Sequence, residues 1–284
     1  MTIAVYRGMD QATLDAAYNN LAAVANSAAI IQSWVDASQV FRQQCAPIEL
    51  CYGPMPRQTI DYFATESDHA PLLVFIHGGY WQRNHKTMFS HVAAGLSRPP
   101  IAADAINVAI IGYSLAPQVS LKAITEEVDS AIAYLDQHHR RLGFNHNRLL
   151  LGGWSAGAHL AALAADNTRV AAVICVSGIF DLQPIALSYL NEHLNLGPEE
   201  INTLSPCTKN YHRPNPIYLY VGDSELPEPQ RQSATFAALL TQQNIPCQLE
   251  NLKAHNHFSI MNELTSPQGS IAANIRRLAF EHTR

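Results

Sequence analysis

The chain has 284 residues, of which 48% are apolar and 14% charged, a balance that supports one large buried core. Its formal charge is −5 and no Lys/Arg run exceeds Arg140-Arg141, which excludes the basic face that a nucleic acid or an acidic membrane would need. Five cysteines (Cys45, Cys51, Cys175, Cys207 and Cys247) show neither CxxC spacing nor a disulfide framework, so they read as reduced thiols rather than metal ligands.

Residues 1–44 read as an N-terminal helical arm. The apolar stretch 21–31 is interrupted by Asn26 and Ser27, is too short to span a bilayer, and follows Asp10 and Asp15 rather than a basic leader. A cytoplasmic chain with no membrane association is therefore expected. Two strands follow, 48–52 and 58–63, split by Gly53-Pro54, and the second alternates polar and apolar residues. The fully apolar run 71–76 suits a strand covered on both faces. A helix is expected over 86–96, a buried strand over 106–112, and an amphipathic helix over 121–142. Further buried strands are expected at 148–152, 170–177, 216–221 and 247–252, with helices at 159–165, 230–240 and 271–280. Strands alternating with helices predict an α/β fold, a central mostly parallel sheet flanked by helices, within a single domain covering 1–284. The segment 181–206 breaks the alternation and is expected to form a small cap insertion.

Gly153-Trp154-Ser155-Ala156-Gly157 fits G-x-S-x-G between the apolar run Leu149-Leu150-Leu151 and a helical stretch. Strand, sharp turn and helix are the setting of a nucleophile elbow, which needs small residues around the serine. A glycine-rich turn with a serine helix cap would leave the same letters. Upstream, His77-Gly78-Gly79-Tyr80-Trp81 directly follows the strand 71–76. Acyl transfer passes through an oxyanion that needs backbone N–H donors, and paired glycines let the backbone approach it. Taken alone, that loop would be an ordinary strand-end turn. Taken together, the two motifs predict an α/β-hydrolase fold with Ser155 as nucleophile and the amides of Gly78, Gly79 and Ala156 as oxyanion donors. The amide of Tyr80 is a further candidate donor. Tyr80, Trp81 and Trp154 are expected to shape the substrate pocket, although Trp154 reads equally well as a packing residue.

The fold requires the order serine, acid, histidine. After the strand 216–221 come Asp223, Glu225 and Glu228. Glu225 has the expected reach, Asp223 is the runner-up, and Glu228 reads as solvated. Of the two histidines after the last strand, His257 precedes an apolar segment that would fix its ring, and His255 reads as exposed or structural. His77 reads as structural. The remaining histidines, including His138, His139 and His159, show no metal-like pattern, so neither metal nor cofactor is expected.

With these residues placed, the chain resembles the kynurenine formamidase (arylformamidase) group of α/β hydrolases. The likeness rests on the H-G-G-x-W of residues 77–81, on Gly153 through His159, and on Pro227-Glu228 with Arg231-Gln232-Ser233. It also rests on Asn256-His257-Phe258, on Ser177-Gly178-Ile179-Phe180-Asp181-Leu182, on Ser205-Pro206 and on Tyr18-Asn19-Asn20. The resemblance implies cofactor-free hydrolysis of N-formyl-kynurenine to kynurenine and formate, with Ser155 as nucleophile, His257 as base and Glu225 as acid. A substrate carboxylate would then seek a cation, for which Arg83, Lys86 and Arg231 compete. A broad carboxylesterase acting on short-chain or aryl esters is the alternative, and a non-catalytic relative a third. The expected partner is a small-molecule aryl formamide or ester, and a homodimer is compatible with the sequence.

Overall fold

The computed structural model describes residues 3–99, 101–212 and 215–281. Among them, eight strands form one sheet: β1 (Ile48–Cys51), β2 (Thr59–Phe63), β3 (Ala70–Ile76), β4 (Asn107–Ile111), β5 (Phe144–Trp154), β6 (Ala172–Val176), β7 (Ile217–Gly222) and β8 (Cys247–Leu252). Their order is β1-β2-β4-β3-β5-β6-β7-β8, with the β1–β2 and β2–β4 pairings antiparallel and every other pairing parallel. The fully buried strands β3, β4 and β6 lie inside the sheet, covered on both faces, and all their residues except Asn107 are apolar. The half-exposed β1 and β8 occupy the edges.

Alternation along the strands divides the core in two. Leu72, Val74, Ile76 and Leu151 face the helices Leu121–Gln137, Ala156–Leu163 and Pro227–Gln242. Leu73, Phe75, Leu150 and Ile174 face Ser27–Gln44, His91–Ser97 and Ser270–Phe280. Every consecutive side chain of these strands is thus removed from water, which is why they show no polar alternation.

Several elements differ from the sequence reading. The helix expected over 86–96 is a short 3-10 turn, Lys86–Phe89, followed by His91–Ser97. The amphipathic segment 121–142 breaks at His138, whose N–H is shared between the Tyr134 and Leu135 carbonyls. A second short helix, His139–Leu142, then ends on left-handed Gly143. The arm is three helices, Gln11–Ala17, Asn20–Ala23 and Ser27–Gln44, the first capped by Asp10 and the second by Asn19. The segment 181–206 is an excursion of short helices whose ends are tied by the Leu182 N–H to Ser205 Oγ (3.0 Å). It touches the arm, since the Tyr189 N–H donates to Asp15 Oδ1 and Gln11 Nε2 donates to the Leu187 carbonyl. Among the described residues, no helix is long and apolar enough to cross a membrane.

Beneath the arm, the fully buried Asp61 of β2 is paired with both Lys86 and Arg42. Lys86 also reaches Glu49 of β1 at 3.0 Å. A buried charge persists only when paired and hydrogen-bonded, and this cluster welds the arm to the antiparallel edge of the sheet.

Candidate active site

β5 ends at Trp154 and the next helix begins at Ala156, so Ser155 is the whole of the turn. Its backbone has φ 57° and ψ −120°, a region that side chains other than glycine seldom occupy. Three bonds hold it there: the Ser155 N–H donates to the Val176 carbonyl, and the Ala158 and His159 amides donate to the Ser155 carbonyl. The small neighbours are required. A Cβ on Gly153 would lie 2.2 Å from the Gly157 carbonyl oxygen, and one on Gly157 would lie 2.0 Å from that of Ile76. This close approach seats the helix N-terminus against the end of β3, with Ser155 at the carboxyl edge of the sheet.

Two loops from the later strands meet Ser155. Beyond β8, His257 places Nε2 3.1 Å from Ser155 Oγ, and its Nδ1 lies 2.8 Å from Glu225 Oε2. All three side chains are buried. With Nδ1–H given to the carboxylate, Nε2 carries the lone pair that faces the hydroxyl. Glu225 is fixed in turn, its Oε1 accepting from the Gly222 N–H (2.8 Å) and from Ser177 Oγ (2.6 Å). Asp223 is elsewhere: exposed, its Oδ1 accepts from Ser224 Oγ and the Ala254 N–H. Glu228, read as solvated, is buried, where it accepts from Tyr18 Oη and pairs with Arg231. His255 is half-buried and lies 3.3 Å from Glu263.

Residues 77–81 form the third side. Gly79, Tyr80 and Trp81 have φ of 121°, 51° and 57°, so the chain reverses tightly. The Gly78 carbonyl accepts from His77 Nδ1 and from Asn84 Nδ2, which fixes the plane of the peptide carrying the Gly79 N–H. A Cβ on Gly78 would come within 2.9 Å of the Ser155 Cβ, so the backbone itself borders the serine. The amides of Gly79, Tyr80 and Ala156 have no acceptor among the described residues.

A cavity of about 300 Å³ opens beside Ser155 and His257. Its wall is mainly aromatic, from Trp34, Tyr80, Phe89, Trp154, Tyr189 and Phe258. Tyr80 and Trp154, two of the three aromatic residues expected to shape a pocket, both border this cavity, and Trp154 also donates its indole N–H to the His257 carbonyl at 2.9 Å. Trp81 does not line the cavity. It is fully buried with its ring edge-on to His159 (4.8 Å), because the positive φ at Tyr80 and Trp81 turns the chain inward. Trp34, Ile31 and Tyr18 of the arm, and Tyr189 of the insertion, enter the wall without a local signal in sequence. Of the three competing cations, Lys86 and Arg231 are engaged in ion pairs and Arg83 borders the cavity.

Three other histidines are buried and held neutral by loss of solvation: His77 is pushed down to about 3, and His91 and His159 each to about 4. Their folded values lie below the ordinary 6.5, so on acidification the unfolded chain takes up protons first. The stability these rings contribute is complete above that value and is lost as pH falls toward 4. Each ring should cost about 1.4 kcal/mol per pH unit below the ordinary value. Melting temperature should therefore drop steeply between about pH 6.5 and 4.5, and less steeply in His159→Gln; equal slopes would refute this account.

The histidines expected to show no metal-like pattern include one grouping that does. Asp136, His139 and His146 each offer a ligand atom within 4.8 Å of the others. Arg169 Nε also bonds Asp136, at 3.0 Å, and the group lies at the start of β5, at the opposite end of the strand from Ser155.

A family model described as BD-FAE matches residues 60–240, well over half of the chain. Kynurenine formamidase of Danio rerio is 29% identical over 232 residues, covering 76% of each chain. That of Drosophila melanogaster is 26% identical over 244 residues, covering 79% of each. Among solved structures, a candidate thioesterase from Silicibacter sp. superposes with TM-score 0.83 at 25% identity, covering 92% of this chain and 98% of that one. The esterase LipW of Mycobacterium marinum superposes with TM-score 0.73 at 18% identity, covering 90% of each, a likeness of fold.

Proposed function

The chain belongs to the BD-FAE family, and from that premise we propose that this hydrolase is a serine enzyme cleaving aryl formamides such as N-formyl-kynurenine. The observation that carries the reading is the continuous path from Glu225 through His257 to Ser155, at the mouth of an aromatic cavity. The likeness to kynurenine formamidases, spread over about three quarters of the chain, supports the choice of substrate.

In this mechanism His257 Nε2 takes the Ser155 proton as Oγ attacks the formyl carbon. The resulting oxyanion is held by amides of the Gly78–Gly79 turn and of Ala156 at the helix N-terminus, groups already in place before the charge develops. Glu225 orients the ring and stabilises its charged form. The imidazolium then gives its proton to the departing aniline nitrogen, leaving a formyl ester on Ser155. Water, deprotonated by His257, cleaves that ester to formate and restores the hydroxyl. The aryl leaving group would lie against Trp154 and Trp34, whose rings meet edge-to-face at 5.2 Å.

The test is a comparison of kcat/KM for N-formyl-kynurenine and for p-nitrophenyl acetate on purified protein. Turnover of the formamide at about 10⁴ M⁻¹s⁻¹ or above is the expected result for a working enzyme. A preference for the ester by several orders of magnitude would instead make this a carboxylesterase.

A further inference from the structure

The cavity wall holds two polar groups that the chemistry at Ser155 leaves unused. Among the described residues, Arg83 is the one lining side chain with a fixed charge; no carboxylate lines the wall. Its guanidinium has no hydrogen-bond or ion-pair partner among the described residues, whereas Lys86 and Arg231 are held by Asp61 and Glu228. The turn that borders Ser155 also sets its position. The Arg83 N–H donates to the Gly79 carbonyl at 3.1 Å, and the Arg83 carbonyl lies so near that a Cβ on Gly79 would meet it at 2.5 Å.

The second group is Asn20, whose side chain is buried in the same wall. The Tyr80 hydroxyl has one proton and donates it to the Tyr18 carbonyl at 2.6 Å. Toward Asn20 it can only accept, so Nδ2 faces it at 3.2 Å and the orientation of the amide is settled. Asn20 Oδ1 is then a buried acceptor without a protein partner. Buried acceptors are seldom left so, and one in a cavity wall points to a ligand that brings a donor.

We propose that Arg83 and Asn20 are specificity-determining residues that hold the end of the substrate remote from the scissile bond, Arg83 its carboxylate and Asn20 Oδ1 its amino group. The assignment rests on the reading of Ser155 as the site of acyl cleavage, and it selects aryl formamides bearing an amino-acid side chain over neutral aryl esters. A guanidinium fork matches a planar carboxylate, while a lone amide oxygen accepts from an ammonium and repels a second anion. A neutral aryl ester would leave both groups unused.

Steady-state kinetics on wild type, Arg83→Gln and Arg83→Lys test this with N-formyl-kynurenine and with 2-formamidoacetophenone, the same aryl formamide lacking the amino-acid end. Arg83→Gln should lose about 10- to 100-fold in kcat/KM on the first, chiefly through KM. It should stay within about twofold on the second, with Arg83→Lys intermediate on the first. The des-amino analogue of N-formyl-kynurenine reads Asn20: wild type should prefer the amine-bearing compound by about tenfold, and Asn20→Leu should erase the preference. Equal losses on both formamides, or none on either, overturn the role of Arg83, and an Asn20→Leu variant that keeps the amine preference overturns that of Asn20. Failure of wild type to cleave any formamide would sink the parent reading instead. In that case an aryl acetate carrying a carboxylate, compared with its methyl ester, decides Arg83 separately, because Arg83→Gln must discriminate less between them than wild type does.

Discussion

Replacing Ser155 by alanine is expected to lower kcat by about four to six orders of magnitude, on formamide and ester alike. In the proposed mechanism the loss is large because the hydroxyl is the atom that bonds to the acyl carbon, and among the described residues no second nucleophile stands within hydrogen-bond reach of His257 Nε2. The fold should be untouched. The backbone at φ 57° is held by the Val176, Ala158 and His159 bonds, all made by main-chain atoms that alanine retains. Thermal stability should thus move by no more than about 0.5 kcal/mol, the range of a substitution that breaks no packing. A variant that kept its structure and retained activity within about tenfold of wild type would place the nucleophile elsewhere.

The second large effect separates two carboxylates two residues apart. Glu225→Gln should cost about 10⁴-fold in kcat, as expected when the partner of the imidazole loses its charge and can leave the ring in the wrong tautomer. Asp223→Asn should stay within about threefold, because that side chain faces solvent and caps the Ala254 amide rather than the ring. Ser177→Ala should fall between them at about tenfold, since it removes one of the two donors to Glu225 Oε1. The reverse order for Glu225 and Asp223 would reassign the acid.

How much of this was legible in the sequence depended on whether a signal was local. The central strands declared themselves because a strand covered on both faces must be apolar throughout, and β8 falls at the residues expected of it. The turn around Ser155 was legible because a sharp strand-to-helix bend restricts its neighbours to small residues. The break at His138 was not, since amphipathic spacing continues across it while the backbone hydrogen bonds do not. Glu228 looked solvated because nothing beside it in sequence reveals Tyr18, 210 residues away, as its partner. Trp81 was misplaced for a related reason: aromatic type suggests a pocket, but the positive φ values around it decide the direction. Ser177 opens a stretch that carries the family likeness, but its role as the second donor to Glu225 is recognisable only once β6 and β7 lie side by side.

The arm has a consequence for how this scaffold can change its diet. Tyr18 pins it over the sheet edge through the Tyr80 hydroxyl, Glu228 and Gln232, while Asn20, Ile31 and Trp34 face the ligand space. Part of the selectivity is thereby lodged in a stretch of polypeptide separate from the one that breaks bonds, although Arg83 and Trp154 belong to the segments around Ser155. Drift within the first forty residues can retune what is admitted without disturbing the proton path, and chimeras that exchange only this stretch offer a direct route to new preferences on an unchanged catalytic engine.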